Sequence, residues 1–349
     1  MTEADGSRDS GGDGTTVGTT ADTTAGTADD TTGDTTTGAT DDTFVDGVTT
    51  RREVLAALGG AAVLSSTTET TTTSVTEGPV HLRVYPGALP TTGWARYGWQ
   101  GVSSGWPPPY EDALDAIRDA FDQVTAYAVD QGRLQDIEVI VERGGQVDLS
   151  LASGSSPRDA VAPTQQGVLD AFAEVLDERG AVTGRCSHLL CWWGPVHYAV
   201  GYGGTRRPNH HVDAVEGEDA QVVANLGATE TWDSRDVTKN VAIHEAFHTF
   251  LTGNVVETVI DSRCEHDLGS AVRVDEDTLE VSPMATAYAG PDEVGGGTQF
   301  HGTTCHDHDS FYRHDGYDGV ENWRYTTTVS EATLEAVTTY IEHYLLEEG

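Results

Sequence analysis

Apolar side chains recur at helical spacing in four stretches of the chain, and this periodicity predicts four amphipathic helices. They cover residues 110–131, 163–179, 237–251 and 330–346. Short apolar runs bounded by turn residues predict five strands, at 81–85, 136–141, 187–193, 198–203 and 221–227. Gly194 and Pro195 separate the third strand from the fourth and indicate a hairpin. This order predicts an α+β fold with a mixed, mostly parallel, twisted sheet and helices packed on it.

Polar segments set the domain boundaries. Residues 1–50 are mostly Thr, Asp, Gly and Ala, so we expect a disordered leader. Residues 51–66, a pair of arginines followed by a short apolar run, resemble a twin-arginine (Tat) export signal, which implies secretion; a small N-terminal helix is the alternative. The run is too short for a stable membrane anchor. A polar linker at 67–78 then leaves 79–349 as the folded domain.

The domain is expected to have two parts. An N-terminal subdomain, 79–252, contains the five strands and three of the helices. A C-terminal subdomain, 253–349, has few periodic segments and is expected to be loop-rich until its final helix.

The charge of the chain limits its partners. It has 57 acidic and 19 basic residues, a net charge of −38, and Lys239 is its only lysine. Because such a chain repels phosphates, nucleic acids and anionic membranes are not expected to bind it. Strong acidity with almost no lysine favours a halophilic source, where concentrated salt screens the self-repulsion.

The four cysteines are consistent with an oxidising destination and a disulfide. Cys186 and Cys191 lie five positions apart on one strand, so their side chains point to opposite faces and are not expected to bond each other. Cys264 with Cys305 is the preferred pair, although the sequence alone leaves three pairings open.

The third predicted helix contains an HExxH sequence, formed by His244, Glu245 and His248. Residues four apart lie on one face of a helix, so both imidazoles can reach the same metal ion. The glutamate between them can hold a metal-bound water and take its proton. A pair of core histidines on an amphipathic helix is the alternative, but uncompensated buried imidazoles are costly.

The surroundings of this motif fit a helix in the core. Asp233 or Ser234 can cap its start, and Gly253 can end it. The buried strand at 221–227 precedes it, which gives the order strand, loop and motif helix.

A catalytic zinc site needs a third protein ligand and one open position. The segment that follows the motif offers three candidates: His266, its neighbour Glu265, and Glu257. Further along, Met284 lies in the sequence Ser-Pro-Met-Ala-Thr and is the only methionine after Met1.

This order of elements resembles the metzincins, zinc peptidases of the zincin (HExxH) class in which a third histidine and a methionine-containing turn follow the motif helix. The resemblance implies that His244, His248 and His266 are zinc ligands, that Glu245 is the general base, and that Met284 marks the turn below the metal. The chain departs from the family pattern because Leu251 and Asn254 replace the family's glycine and third histidine, so a longer connection delivers His266.

A gluzincin arrangement is the rival. There a second helix supplies a glutamate, and Glu257 with Asp261 has the required spacing on residues 255–261, although the gap from His248 is short. An exposed helix face in an acid-rich chain explains the same pair more simply.

Two further features give weaker indications of function. Tyr288 can hydrogen-bond an oxyanion, as tyrosines near this turn do in some metzincins, but a packing tyrosine explains it equally. A stretch rich in His and Asp can hold Ca²⁺ or a second zinc ion, or is an acidic surface loop. Its members are His301, His306, Asp307, His308, Asp309, His314 and Asp315.

The resemblance implies a secreted zinc-dependent endopeptidase that hydrolyses peptide bonds of a protein or peptide substrate through a zinc-bound water activated by Glu245. A binding protein of the envelope or extracellular space, with a structural zinc site and no catalysis, is the alternative. Another zinc hydrolase with the same ligands is a third.

Overall fold

The computed structural model describes residues 79–97, 106–133, 139–149, 163–182, 186–194, 203–205, 219–288, 311–316 and 318–346. The predicted leader, export signal and linker lie outside these residues. The strands are β1 (Val80–Pro86), β2 (Val139–Arg143), β3 (Cys186–Trp192), β4 (Gly203–Thr205), β5 (Gln221–Asn225), β6 (Ser270–Arg273), β7 (Thr278–Val281), β8 (Arg313–His314) and β9 (Asn322–Tyr325). The helices are α1 (Thr91–Tyr97), α2 (Pro108–Asp130), α3 (Gln165–Glu178), α4 (Leu226–Trp232), α5 (Arg235–Phe247), α6 (Gly253–Val259) and α7 (Glu331–Tyr340).

The main sheet has the strand order β2-β1-β3-β5-β4. The first four strands are parallel, and the edge strand β4 runs antiparallel to β5. Strands β3 and β5 are buried along almost their whole length, as expected for parallel strands covered on both faces. The predicted α+β class and mostly parallel sheet are therefore confirmed.

The predicted hairpin at Gly194 and Pro195 is wrong. Both edges of β3 are occupied by parallel partners, β1 and β5, so no edge of β3 remains for a hairpin partner. Of the predicted fourth strand, 198–203, only Gly203 lies in the described residues; it begins β4, which pairs with β5 instead. A glycine-proline turn is compatible with many connections, and the fully apolar run of β3 was the better indicator of a central strand.

The core lies between this sheet and two packed helices, α2 and α5. Phe121 of α2 meets Phe247 and Phe250 edge to face, with ring centroids 5.4 and 4.9 Å apart. All three rings are buried, and complete burial of each stabilises the fold by roughly 2–3 kcal/mol. The four predicted helices are present, and a π-helical turn, Ile341–Leu346, continues α7.

Several elements were not predicted. Helices α1 and α4 have seven residues each, too few to display an amphipathic period. A second sheet, ordered β8-β6-β7-β9, occupies part of the region expected to be loop-rich, which corrects that expectation. Its strands have two to four residues, so the alternation of apolar and polar positions cannot be recognised in the sequence.

The described cysteines, Cys186, Cys191 and Cys264, agree with the predicted disulfide pattern. Cys186 and Cys191 are both free and buried, so they do not bond each other. Cys264 is disulfide-bonded, and its predicted partner, Cys305, lies outside the described residues. None of the helices in the described part of the chain is long and apolar enough to cross a membrane.

Candidate metal centre

Helix α5 presents the HExxH residues. Its first turn is capped by Ser234, whose hydroxyl accepts from the Val237 amide at 3.4 Å, so Ser234 rather than Asp233 is the cap. The predicted end at Gly253 is wrong. The α-helix stops at Phe247 and continues as a 3₁₀ turn, His248–Phe250, because Leu251 turns into an extended conformation that buries its side chain in the core. Gly253 instead begins α6.

Three imidazoles converge beside this helix end. His244, His248 and His266 each offer one ligand atom, and these atoms all lie within 4.8 Å of one another. The Nε2 atoms of His244 and His248 are 3.0 Å apart. Two nitrogens bound tetrahedrally to zinc are separated by about 3.3 Å, so the donor set and its spacing fit a zinc ion.

The two helix histidines are held in the same tautomer. Nδ1 of His244 donates to the carbonyl oxygen of Pro283 at 2.8 Å, and Nδ1 of His248 donates to Oε2 of Glu265 at 2.5 Å. Because each Nδ1 carries the proton, each Nε2 keeps its lone pair for a metal. Burial, together with His248, lowers the pKa of His244 to about 3. Burial also disfavours a charged His248, but the hydrogen bond to Glu265 and the charges of Glu265 and Glu245 together outweigh this and raise the pKa of His248.

His266 comes from a 3₁₀ turn, Glu265–Leu268, that starts directly after the disulfide-bonded Cys264. Nδ1 of His266 lies 3.7 Å from Sγ of Cys264. Its ring is stacked against His244, with centroids 5.1 Å apart, and stands at 83° to the His248 ring. The structure therefore brings the predicted third ligand to the two helix histidines.

Glu245 is buried between α5 and the edge strand β4. A Cβ at Gly203 of β4 would lie 2.1 Å from Cδ of Glu245 and 2.5 Å from the Val223 carbonyl oxygen, so only glycine fits. Oε2 of Glu245 is buried and has no hydrogen-bond partner among the described residues. Burial raises the pKa of Glu245 to about 7, against a small opposing effect of His248. A carboxyl group with this pKa can both take and release a proton near neutral pH.

Met284 lies in the 3₁₀ turn Pro283–Tyr288 and is completely buried in the main core. The preceding residue, Pro283, supplies the carbonyl that fixes His244. The methionine-containing turn therefore lies beside α5. Tyr288 ends this turn, and its side chain lies outside the described residues.

Two residues that support the site were not predicted. Asn240, one helical turn before His244, donates to the carbonyl oxygens of Val281 and Thr326 at 3.0 and 2.7 Å. It ties α5 to the second sheet. Gly203 was assigned only to a strand, and no sequence pattern indicates its contact with Glu245.

The alternative ligands lie elsewhere. Glu265 contacts the far nitrogen of His248 rather than the point where the three ligand atoms meet. Glu257 is more than half exposed and pairs with Arg263 at 2.9 Å, and Asp261 is exposed. Among the residues described, the histidine trio is the one group of metal-ligating side chains with suitable spacing.

The second stretch of His and Asp residues is described only in part. Asp315 accepts from the Arg313 guanidinium at 3.0 and 3.1 Å and from the Arg273 amide at 2.9 Å, and these donors lower its pKa. Its oxygens thus have protein partners. His314 lies in β8, and the other members, His301, His306, Asp307, His308 and Asp309, lie outside the described residues.

Comparison of the chain with protein-family models, with curated proteins and with solved structures found no match.

Proposed function

We propose that the protein is a secreted, zinc-dependent endopeptidase with a zincin-like fold of the metzincin type. The observation that carries this proposal is the arrangement of three imidazoles around one point, with the buried side chain of Glu245 next to His244 on α5. Within the described part of the chain three protein ligands meet here, and three ligands leave a fourth position open, as in catalytic rather than structural zinc sites.

The histidines and Glu245 would have different roles. His244, His248 and His266 would hold the metal through neutral nitrogens. A bound zinc ion would supply a Lewis acid that polarises the scissile carbonyl and makes a water molecule acidic. Glu245 would take the proton of the attacking water and pass it to the departing amine, because its carboxyl group titrates near neutrality and its Oε2 is available.

The position of β4 supports a peptide as substrate. Among the described strands it is the last one of the main sheet, and its Gly203 contacts Glu245. Extended peptides bind exposed sheet edges by adding a strand through main-chain hydrogen bonds. A substrate bound along this edge would pass directly by the general base.

The proposal includes export by the twin-arginine pathway and activity in concentrated salt. The twin arginines at 51 and 52, the net charge of −38 and the disulfide at Cys264 support it.

The test is a Glu245→Gln variant compared with the wild type and with Glu257→Gln, which changes an exposed glutamate. Bound zinc and hydrolysis of an unfolded protein substrate are measured in high salt. We expect Glu245→Gln to keep zinc and lose at least about 100-fold in turnover, as removal of a general base does. Full activity in Glu245→Gln contradicts the proposal. A wild-type protein that binds zinc but hydrolyses no peptide also contradicts it and favours a structural zinc site.

A further inference from the structure

The two helix histidines have different acceptors behind their rings. His244 donates to a neutral backbone carbonyl, that of Pro283. His248 donates to the carboxylate of Glu265 at 2.5 Å, with side chains that are 16% and 24% exposed. A charged acceptor strengthens a hydrogen bond roughly twofold relative to a neutral one, so the two ligands are not equivalent.

The turn that presents Glu265 is anchored on several sides. Cys264 before it is disulfide-bonded, and the Cys264 amide donates to Ser262 Oγ at 3.0 Å. The Leu268 carbonyl oxygen at its end accepts from the hydroxyls of Ser330 and Thr333, at the start of α7. These contacts fix the backbone of the turn on both sides of Glu265.

The other end of the turn is equally confined. A Cβ at Gly269 would lie 2.3 Å from the Ala285 amide nitrogen, so this backbone packs directly on the methionine-containing turn. Asp267 also accepts from the Ser262 hydroxyl. The backbone that carries Glu265 is therefore held in place beside His248.

We propose that Glu265 is a positioning residue for the metal, acting through His248. It holds His248 in the tautomer that presents Nε2, and its charge increases the basicity of that nitrogen. It also offsets part of the charge of a divalent ion whose three protein ligands are all neutral. The inference rests on the proposed metal site and deepens it, because Cys264, Glu265 and His266 supply an anchor, a charged acceptor and a ligand in succession.

The experiment measures zinc affinity by competition with a chromophoric chelator in high salt, for Glu265→Ala, Glu265→Gln and Glu257→Ala. We expect Glu265→Ala to lose about 10–100-fold in zinc affinity. Glu265→Gln should lose less, because its amide oxygen can accept the same hydrogen bond without the charge. Glu257→Ala should match the wild type, since Glu257 pairs with Arg263 at the surface.

A second readout separates positioning from folding. The visible absorption of the cobalt-substituted protein should change in both Glu265 variants. Each chelator-treated variant should still unfold cooperatively in urea, with a midpoint lowered only by the loss of the hydrogen bond to His248. If Glu265→Ala fails to fold, the zinc affinity and the cobalt absorption spectrum of Glu265→Gln decide whether Glu265 positions the metal.

The outcomes distinguish this inference from the peptidase proposal. If the Glu265 variants lose zinc affinity but the wild type hydrolyses no peptide, the inference about Glu265 is supported and only the proposal of peptidase activity is contradicted. Peptide hydrolysis with wild-type zinc affinity and an unchanged cobalt spectrum in the Glu265 variants overturns the inference alone. A wild-type protein that binds no zinc overturns both.

Discussion

Nδ1 of His244 donates to the carbonyl oxygen of Pro283 across 2.8 Å, and this bond joins the ligand helix to the turn that contains Met284. The turn thereby orients the His244 imidazole through its backbone. The methionine then acts by packing, since its side chain is completely buried in the core.

Substitutions of Met284 test this packing role. Met284→Leu conserves volume and should cost less than about 1.5 kcal/mol of unfolding free energy, with zinc affinity retained. Met284→Ala leaves a cavity and should cost about 2–5 kcal/mol. Urea unfolding and zinc titration check both variants. A large loss of zinc affinity in a stably folded Met284→Leu would show that the sulfur itself has a role.

Asn240→Ala should destabilise the protein by about 2–4 kcal/mol, because it removes two hydrogen bonds and leaves the Val281 and Thr326 carbonyls without this donor. Urea unfolding of the zinc-free protein measures the effect. Asn322→Ala, on the exposed β9, is the control and should change the unfolding free energy by less than about 0.5 kcal/mol. Equal effects of the two substitutions would show that the hydrogen bonds of Asn240 do not stabilise the fold.

Gly203→Ala should impair catalysis more than stability. The added methyl group meets the Glu245 carboxyl group and the Val223 carbonyl, so one of them must shift. We expect about 1–3 kcal/mol of destabilisation. Misplacement of the base should reduce kcat/KM by about 100-fold. Gly145→Ala is the control, since its nearest neighbour, Arg179 Nη1, lies 3.7 Å from the added Cβ. Wild-type kcat/KM in Gly203→Ala would contradict the assigned position of the base.

Glu245 should make the stability of the zinc-free protein depend on pH. Burial raises its pKa from 4.5 to about 7, so the folded state holds a proton that the unfolded state has released between these values. Its contribution is fully present below about pH 4.5 and is lost as the pH rises to about 7. The loss is about 3 kcal/mol.

Glu245→Gln should therefore be more stable than the wild type at pH 8 by a similar amount, with the difference shrinking towards pH 5. His244 has the opposite dependence, because its pKa is lowered to about 3 and its neutral form is favoured on folding. Comparing variant with wild type at each pH, by urea unfolding, cancels that contribution. A difference that does not vary with pH would mean that Glu245 titrates normally.

The long periodic segments were predictable because burial imposes a pattern on them. Helices α2, α3, α5 and α7 have apolar faces long enough to recognise, and the apolar runs of β3 and β5 indicate central strands. Strand partners were not predictable from local sequence, since β4 pairs with β5 through contacts that no turn residue specifies.

Part of the candidate site was predictable because residues four apart in the sequence lie on one face of a helix. His244, Glu245 and His248 follow from helix geometry, whereas His266 was chosen over Glu265 and Glu257 because of the resemblance to the metzincins. The contacts of Glu265, Asn240 and Gly203 depend on segments that meet only in the folded chain, so no spacing rule reveals them. The helix end was misplaced because Gly253 resembles a terminator, whereas the burial of Leu251 decides where the chain turns.

The most direct test of the account is bound metal, measured by inductively coupled plasma mass spectrometry on the mature protein purified in high salt. The wild type is compared with His266→Ala and with Glu257→Ala, the rival ligand. The account predicts one zinc ion in the wild type and in Glu257→Ala, and its loss in His266→Ala. A wild-type protein without zinc, or a His266→Ala variant that keeps it while Glu257→Ala does not, would contradict the metal centre described above.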